Sequence, residues 1–128
     1  MGDWERPWNA NSTSKVGEAP PSIIWATAPG GFGQIGCVYT AQGLEFDWAG
    51  VIIGPDLLVR GGRMVTEREG CKDPDLTRST VTHEQFDRLV RNTYKVLLTR
   101  GLAGVVLYSD DPETQDFLTG LVHRPAHT

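Results

Sequence analysis

Two segments of the chain carry residue types that suit the binding of a phosphorylated ligand. In the first, residues 40–45, a glycine and an acid follow a short apolar run. Gly43 lets the backbone come close to a bulky anion, and the carboxylate of Glu45 can accept hydrogen bonds from hydroxyl groups. The alternative interpretation is a tight turn with a capping acid.

The second segment ends at Arg100, at the close of a helical pattern. With an advance of about 100° per residue, Phe86, Val90 and Leu97 share one side of the helix, and Arg100 points the same way. A guanidinium on the core-facing side at a helix C-terminus needs an acidic partner or an anionic ligand. Alternatively, it extends to solvent, caps the last carbonyls, or pairs with an acid such as Asp47.

Basic residues occupy the opposite face of the same helix. Arg88, Arg91 and Lys95 form a stripe that is either a solvated face or a phosphate-binding surface. The pairs Glu84–Arg88 and Asp87–Arg91 have the spacing of ion pairs on one helix.

The helix itself has clear boundaries. Thr82 followed by Gln85 resembles a capping box, and Gly101 supplies a stop, so a helix is predicted over residues 82–100. The remaining pattern predicts buried strands at 34–39, 50–54 and 103–108, a hairpin of strands 57–60 and 63–66, a charged loop at 67–80 and a helix at 112–121. This order indicates an α/β layer with a largely parallel sheet.

Residues 1–33 are rich in proline and glycine and predict an irregular arm. The arm also holds Trp4, Trp8 and Trp25, which is too much aromatic surface for a solvated linker. At least part of it is expected to pack on the core, although tryptophans can also stack on bases.

Size and composition limit the function classes. A chain of 128 residues has room for one domain with a modest core, and its formal net charge of −4 argues against an overall electrostatic grip on nucleic acid. The sequence shows neither an apolar run long enough to span a membrane nor a signal peptide, so a cytoplasmic location is expected. Cys37 and Cys71 fit neither a disulfide framework nor a metal site, and His123 and His127 lie in a predicted tail.

The two segments, in this order, resemble motifs V and VI of superfamily 1 helicases. The run Tyr-Thr-Ala-Gln-Gly-Leu-Glu-Phe-Asp at 39–47 is similar to motif V, and Val-Leu-Leu-Thr-Arg-Gly at 96–101 is similar to motif VI. With residues 4–9, they make the chain resemble the C-terminal part of the Schlafen group 3-like DNA/RNA helicase domain, a bacterial family.

The resemblance implies a partial RecA-like (P-loop NTPase-type) second motor domain with a mainly parallel sheet and a β-hairpin insertion. The expected organisation is an arm at 1–33, a RecA-like domain at 34–122 and a tail at 123–128. Arg100 matches the arginine finger that contacts the γ-phosphate of ATP across a domain interface. Glu45 matches the acid that faces the ribose, and Gln42 and Gly43 complete the expected nucleotide contacts.

Nucleic-acid contacts are expected at Thr40, Arg91 and Lys95. Thr40 matches the loop that links nucleotide to nucleic-acid backbone. Lys95 stands where many superfamily 1 helicases carry an aromatic residue, and the neighbouring Tyr94 is a possible substitute.

The phosphate-binding loop, Gly-x-x-x-x-Gly-Lys-Ser/Thr, is missing from this sequence, as is an Asp-Glu pair for magnesium. The chain is therefore predicted not to hydrolyse ATP alone. ATP and Mg²⁺ are expected only in combination with a separate ATP-binding motor half, and no metal site of its own is expected. The alternative is a non-catalytic remnant that binds protein or nucleic acid.

Overall fold

The computed structural model describes residues 4–122, and the chain divides into two compact units that join at Glu45 and Phe46. The expected boundary at residues 33 and 34 falls inside the first unit. The expected tail at 123–128 lies outside the described residues, and packing of the arm on the core stays a prediction.

The first unit is mostly irregular. It contains 3₁₀ turns at Ser22–Ile24 and Pro29–Gly33 and one short helix, α1, at Val38–Ala41. The strand predicted at 34–39 is wrong. Ile35 forms a single bridge with Trp8, and the chain then turns into α1, because the N–H of Cys37 bonds to a side-chain oxygen of Asn9 instead of a neighbouring strand.

The second unit confirms the α/β class and most of the predicted elements. Strands β1 (Phe46–Ile53) and β4 (Gly101–Ser109) form a two-stranded parallel sheet. The other elements are β2 (Leu57–Arg60), β3 (Arg63–Thr66), a 3₁₀ turn (Arg68–Gly70), α2 (Pro74–Thr77), α3 (His83–Leu98) and α4 (Pro112–Val122). Within residues 4–122 the parallel sheet thus has two strands, and β2 and β3 form a separate antiparallel pair.

The hairpin of β2 and β3 turns at two glycines, as predicted. Gly61 and Gly62 have φ values of 59° and 78°. Positive φ at both central residues is the geometry of the type I′ turn, whose twist matches that of the flanking strands.

Helix α3 begins where the capping box predicts. Gln85 N–H donates to the Thr82 hydroxyl at 3.2 Å, and Thr82 N–H donates to Gln85 Oε1 at 2.9 Å. The helix ends at Leu98, before the predicted end at residue 100, and Gly101 begins β4 instead of closing the helix.

The predicted loop at 67–80 is also more ordered than expected. Besides its 3₁₀ turn it contains α2, where Asp73 caps the helix by accepting a hydrogen bond from Asp75 N–H at 2.9 Å. Asp-Pro at this point favours a helix start, because Asp caps well and Pro suits the first helical position.

The core of the second unit lies between the sheet and α3. Val51, Ile53, Phe86 and Val90 are each at most 7% exposed, and Leu118 of α4 joins them. Within residues 4–122, every helix is too short or too polar to cross a membrane.

Candidate functional site

The parallel register brings the ends of the two motif segments to one end of the sheet. Phe46 pairs with Gly101, and Phe46 N–H donates to the Arg100 carbonyl at 2.8 Å. Phe46 directly follows Glu45, and Gly101 directly follows Arg100. The residues that follow the two segments therefore pair at the amino-terminal ends of neighbouring strands.

The Arg100 side chain turns back along α3. Its Nε donates to the Val96 carbonyl at 3.1 Å and its Nη2 to the Thr99 hydroxyl at 3.2 Å. The projection that gave Arg100 a core-facing direction assumed a helix that continues to residue 100, whereas α3 ends at Leu98. The capping alternative describes the structure.

Arg100 nevertheless keeps an uncompensated charge. It is half-buried, and in the part of the chain that the structure describes it has no carboxylate partner and no hydrogen bond from Nη1. Asp47, the acid suggested for it, makes no ion pair with it there. A guanidinium held by two neutral acceptors can still bind an anion.

The Gly43 backbone forms a tight turn. Leu44 N–H donates to the Ala41 carbonyl at 3.1 Å, and Gly43 has a φ of 81°. No atom lies within 4 Å of the position a Cβ would occupy at Gly43. Glycine is therefore favoured there by its backbone conformation. The side chains of Gln42 and Glu45 are exposed.

Thr40 is held from within the first unit. Asn9 Nδ2 donates to the Thr40 hydroxyl at 2.9 Å, and Cys37 Sγ lies 3.4 Å from the same oxygen. Sequence patterns assigned no role to Asn9, although it lies in the segment 4–9 that carries part of the resemblance.

On α3, Arg91 is committed to structural contacts. It forms an ion pair with Asp87 at 2.9 Å and donates to the Met64 carbonyl at 2.8 Å, which ties α3 to β3. The Arg91 contact, with a second hydrogen bond from Thr66, lowers the pKa of Asp87. Lys95 is exposed.

The two predicted ion pairs of α3 have different outcomes. The pair Asp87–Arg91 is confirmed. Across the described residues, Glu84 and Arg88 form no such pair, and both side chains are exposed.

Tyr94 lies in the core of the second unit. It is 8% exposed, donates to Asp56 at 2.6 Å and accepts from Gly54 N–H at 2.9 Å. Burial, followed by the hydrogen bond to Asp56, raises its pKa. Gly-Pro-Asp directly after a buried strand was the sequence pattern that could have indicated a loop held in place by hydrogen bonds.

A polar cluster beyond the carboxyl end of β4 was also missed. Arg60 binds Asp111 with two hydrogen bonds of 2.8 Å, and Asp111 accepts bonds from Thr114 N–H at 2.9 Å and the Thr114 hydroxyl at 2.6 Å. The Thr114 hydroxyl in turn accepts from Val59 N–H at 2.9 Å. The Arg60 guanidinium, with these Thr114 bonds, holds the pKa of Asp111 well below its usual range. This cluster attaches the hairpin to α4, and Asp111-Pro112 was its sequence signal.

The described residues contain no group of three or more His, Cys, Asp or Glu side chains that could hold a metal ion.

The comparisons with known proteins identify the class. The model of the Schlafen group 3, DNA/RNA helicase domain family matches residues 1–111, and the chain belongs to that family. It is thus a helicase-like domain.

A curated relative comes from yeast. The chain is 31% identical over 96 residues to the uncharacterized protein YPL245W of Saccharomyces cerevisiae, a match that covers 66% of this chain and 20% of the relative. The chain therefore spans about a fifth of the length of the curated relative it matches. No solved structure matches the chain. The expected bacterial origin has no support from this eukaryotic relative.

Proposed function

We propose that this chain is the C-terminal, nucleotide-sensing part of a DNA/RNA helicase-like NTPase. In this proposal Arg100 and residues 40–45 belong to a site that a separate ATP-binding half completes. The observation that carries the proposal is the pairing of Phe46 with Gly101, the residues that directly follow the two segments, on neighbouring parallel strands. Membership of the helicase domain family supports it.

The ATP-binding half would supply the phosphoryl group to be transferred together with its Mg²⁺. Arg100 would place its guanidinium against the charge that spreads over the phosphoryl oxygens in the transition state. Its hold on the Val96 carbonyl and Thr99 orients the side chain before a ligand arrives. Glu45 would accept a hydrogen bond from a ribose hydroxyl, and Gln42 would contribute polar groups from the same exposed turn.

The proposal predicts that the purified chain alone does not hydrolyse ATP. Co-expressed with the ATP-binding half of a full-length family member, it should form an active assembly. In that assembly Arg100→Ala should lower kcat by about 10³-fold, the smaller end of the effect of an arginine finger. The measurement is phosphate release at saturating ATP.

Arg88→Ala is the matched control, because Arg88 is an exposed arginine of the same helix. It should leave kcat within about twofold of the unmodified assembly, since solvent screens an exposed charge. Equal losses in the two variants, or ATP hydrolysis by the chain alone that Arg100→Ala abolishes, would contradict the proposal.

A second candidate function is that of a non-catalytic binding module. It is favoured by apolar side chains that the first unit exposes: Phe32 is 100% exposed, Ile23 81% and Trp8 67%. Such side chains can stack on bases or contact a protein partner. Fluorescence anisotropy with a labelled single-stranded RNA and DNA tests nucleic-acid binding. Binding that Trp8→Ala weakens at least tenfold while Arg100→Ala leaves it unchanged would favour this function.

A further inference from the structure

Asn9 is a buried polar residue in an otherwise irregular arm. It is 8% exposed, and its side chain makes three hydrogen bonds within the first unit. Oδ1 accepts from Cys37 N–H at 2.9 Å, and Nδ2 donates to the Thr40 hydroxyl at 2.9 Å and to the Ala10 carbonyl at 3.1 Å. The carboxamide therefore contacts the N-cap residue of α1 and a side chain within the helix.

The backbone of the arm brings Asn9 to this position. Ile35 N–H donates to the Pro7 carbonyl at 2.8 Å, and Asn9 N–H donates to the Ile35 carbonyl at 2.8 Å. Residues 7–9 thus run alongside residue 35 as a short parallel bridge centred on Trp8. This bridge ends where α1 begins, so the Asn9 side chain meets the first turn of the helix.

Helix α1 needs such external support. It has only four residues, Val38–Ala41, far fewer than an isolated helix needs to persist in water. Cys37, at its N-cap position, makes no side-chain capping bond. An Asn carboxamide can satisfy backbone N–H and hydroxyl groups at once, because it is both acceptor and donor.

We propose that Asn9 is a positioning residue for the turn that carries Gln42, Gly43 and Glu45. By bonding to Cys37 and Thr40, it holds α1 in place and so sets the direction in which the chain leaves the helix and enters this turn. This inference rests on the proposed function for its catalytic consequence, but its structural part stands apart from it. A ligand that binds the turn in its native shape also stabilises the contact between the arm and α1, since the two are linked.

Amide hydrogen exchange of the whole chain tests the structural part. In Asn9→Ala, amides of α1 and of residues 42–45 should exchange about tenfold faster or more, because the buried partners of Asn9 lose their hydrogen bonds. Amides of β1 and α3 should keep their rates. Asn9→Asp should restore most of the protection, because a carboxylate still accepts from Cys37 N–H and from the Thr40 hydroxyl.

Ser22→Ala is the matched control, because it removes another hydrogen bond of the arm, from the Ser22 hydroxyl to the Ser12 carbonyl at 3.0 Å. It should leave residues 42–45 unchanged. If Asn9→Ala unfolds the first unit, Thr40→Val, which removes a single acceptor of Asn9, serves instead and should raise exchange there by a smaller factor. The inference would be overturned if the amides of residues 42–45 exchange at unchanged rates in folded Asn9→Ala or Thr40→Val. It would also be overturned if Ser22→Ala raises their exchange rates by the same factor.

The catalytic part is tested in the assembly with the ATP-binding half. Asn9→Ala should raise KM for ATP and lower kcat, each by about tenfold or more, and Asn9→Asp should recover both values. A loss of folded protein alone would lower kcat without raising KM. An inactive unmodified assembly with the exchange pattern intact would refute the proposed function and leave the positioning role standing. Full activity of Asn9→Ala in an active assembly would refute the catalytic consequence of the positioning.

Discussion

Three arginines of the second unit illustrate how partners decide what a guanidinium can do. Arg60 is bound by the carboxylate of Asp111, and Arg91 by that of Asp87, so their charges are largely compensated in the folded chain. Arg100 instead contacts a carbonyl and a hydroxyl. A cation with neutral acceptors keeps its attraction for an anionic ligand, so the contacts of Arg100 are compatible with the phosphate contact proposed for it.

The bond between Arg60 and Asp111 predicts a pH-dependent stability. Contact with Arg60 lowers the pKa of Asp111 in the folded chain, so the folded state favours the carboxylate. This stabilisation is complete above the ordinary Asp pKa of about 4 and is lost as the pH falls below it toward the lowered value. Asp111→Asn should therefore lower the urea midpoint at pH 7, and the difference from the unmodified chain should narrow between about pH 5 and pH 2.

Asp116→Asn provides the comparison for this titration, because Asp116 is an exposed acid of the same helix. It should shift the midpoint little at any pH. If the urea midpoint of Asp111→Asn stays below that of the unmodified chain by a constant amount from pH 7 to pH 2.5, the result would argue against a charged bond between Arg60 and Asp111.

At the scale of elements, local patterns predicted most of the second unit and failed at two places. The hairpin glycines and the capping box act within a few residues of themselves, so the sequence was sufficient for β2, β3 and the start of α3. The prediction of a strand at 34–39 was wrong because apolar residues form a strand only where an adjacent strand is available for backbone hydrogen bonds. The helix predicted to residue 100 ends early, at Leu98, and Gly101 joins β4.

A glycine in the hairpin turn and a glycine in α4 are predicted to respond differently to substitution by alanine. Gly62→Ala should destabilise the chain by about 1–2 kcal/mol, because its φ of 78° lies in the left-handed region that a Cβ disfavours. Gly120→Ala, in α4 with open space around its Cβ position, should be neutral or stabilising by up to about 1 kcal/mol. Urea unfolding at pH 7 measures both, and equal effects would contradict the turn geometry.

At the scale of the molecule, the two units differ in how much apolar surface they bury. Ala41 is the buried hydrophobic residue of the first unit among residues 4–45, whereas the second unit buries a cluster that includes Phe86 and Val90. Because apolar burial is the main stabilising contribution to folding, most of the stability is expected in the second unit.

Phe86→Ala should destabilise the second unit by about 3–5 kcal/mol, since Phe86 is 2% exposed and its loss leaves a cavity in the core. Leu89→Ala on the same helix should cost far less, because Leu89 is 38% exposed. Urea unfolding measures the difference in stability between the two variants, and hydrogen exchange of the β1 amides provides a second measurement. Similar losses for the two variants would place the core elsewhere.

The sequence by itself determined the family, the missing phosphate loop, the hairpin, the capping box and the terminal helix, because these depend on residues close together in the chain. Only the tertiary structure decided the roles of Asn9, Tyr94 and Asp111. Their distant partners lie 28 and 31 residues away for Asn9, which bonds to Cys37 and Thr40, 38 for Tyr94, which bonds to Asp56, and 51 for Asp111, which bonds to Arg60. A buried polar group takes whichever partner the fold brings to it, and local sequence patterns do not specify such a partner.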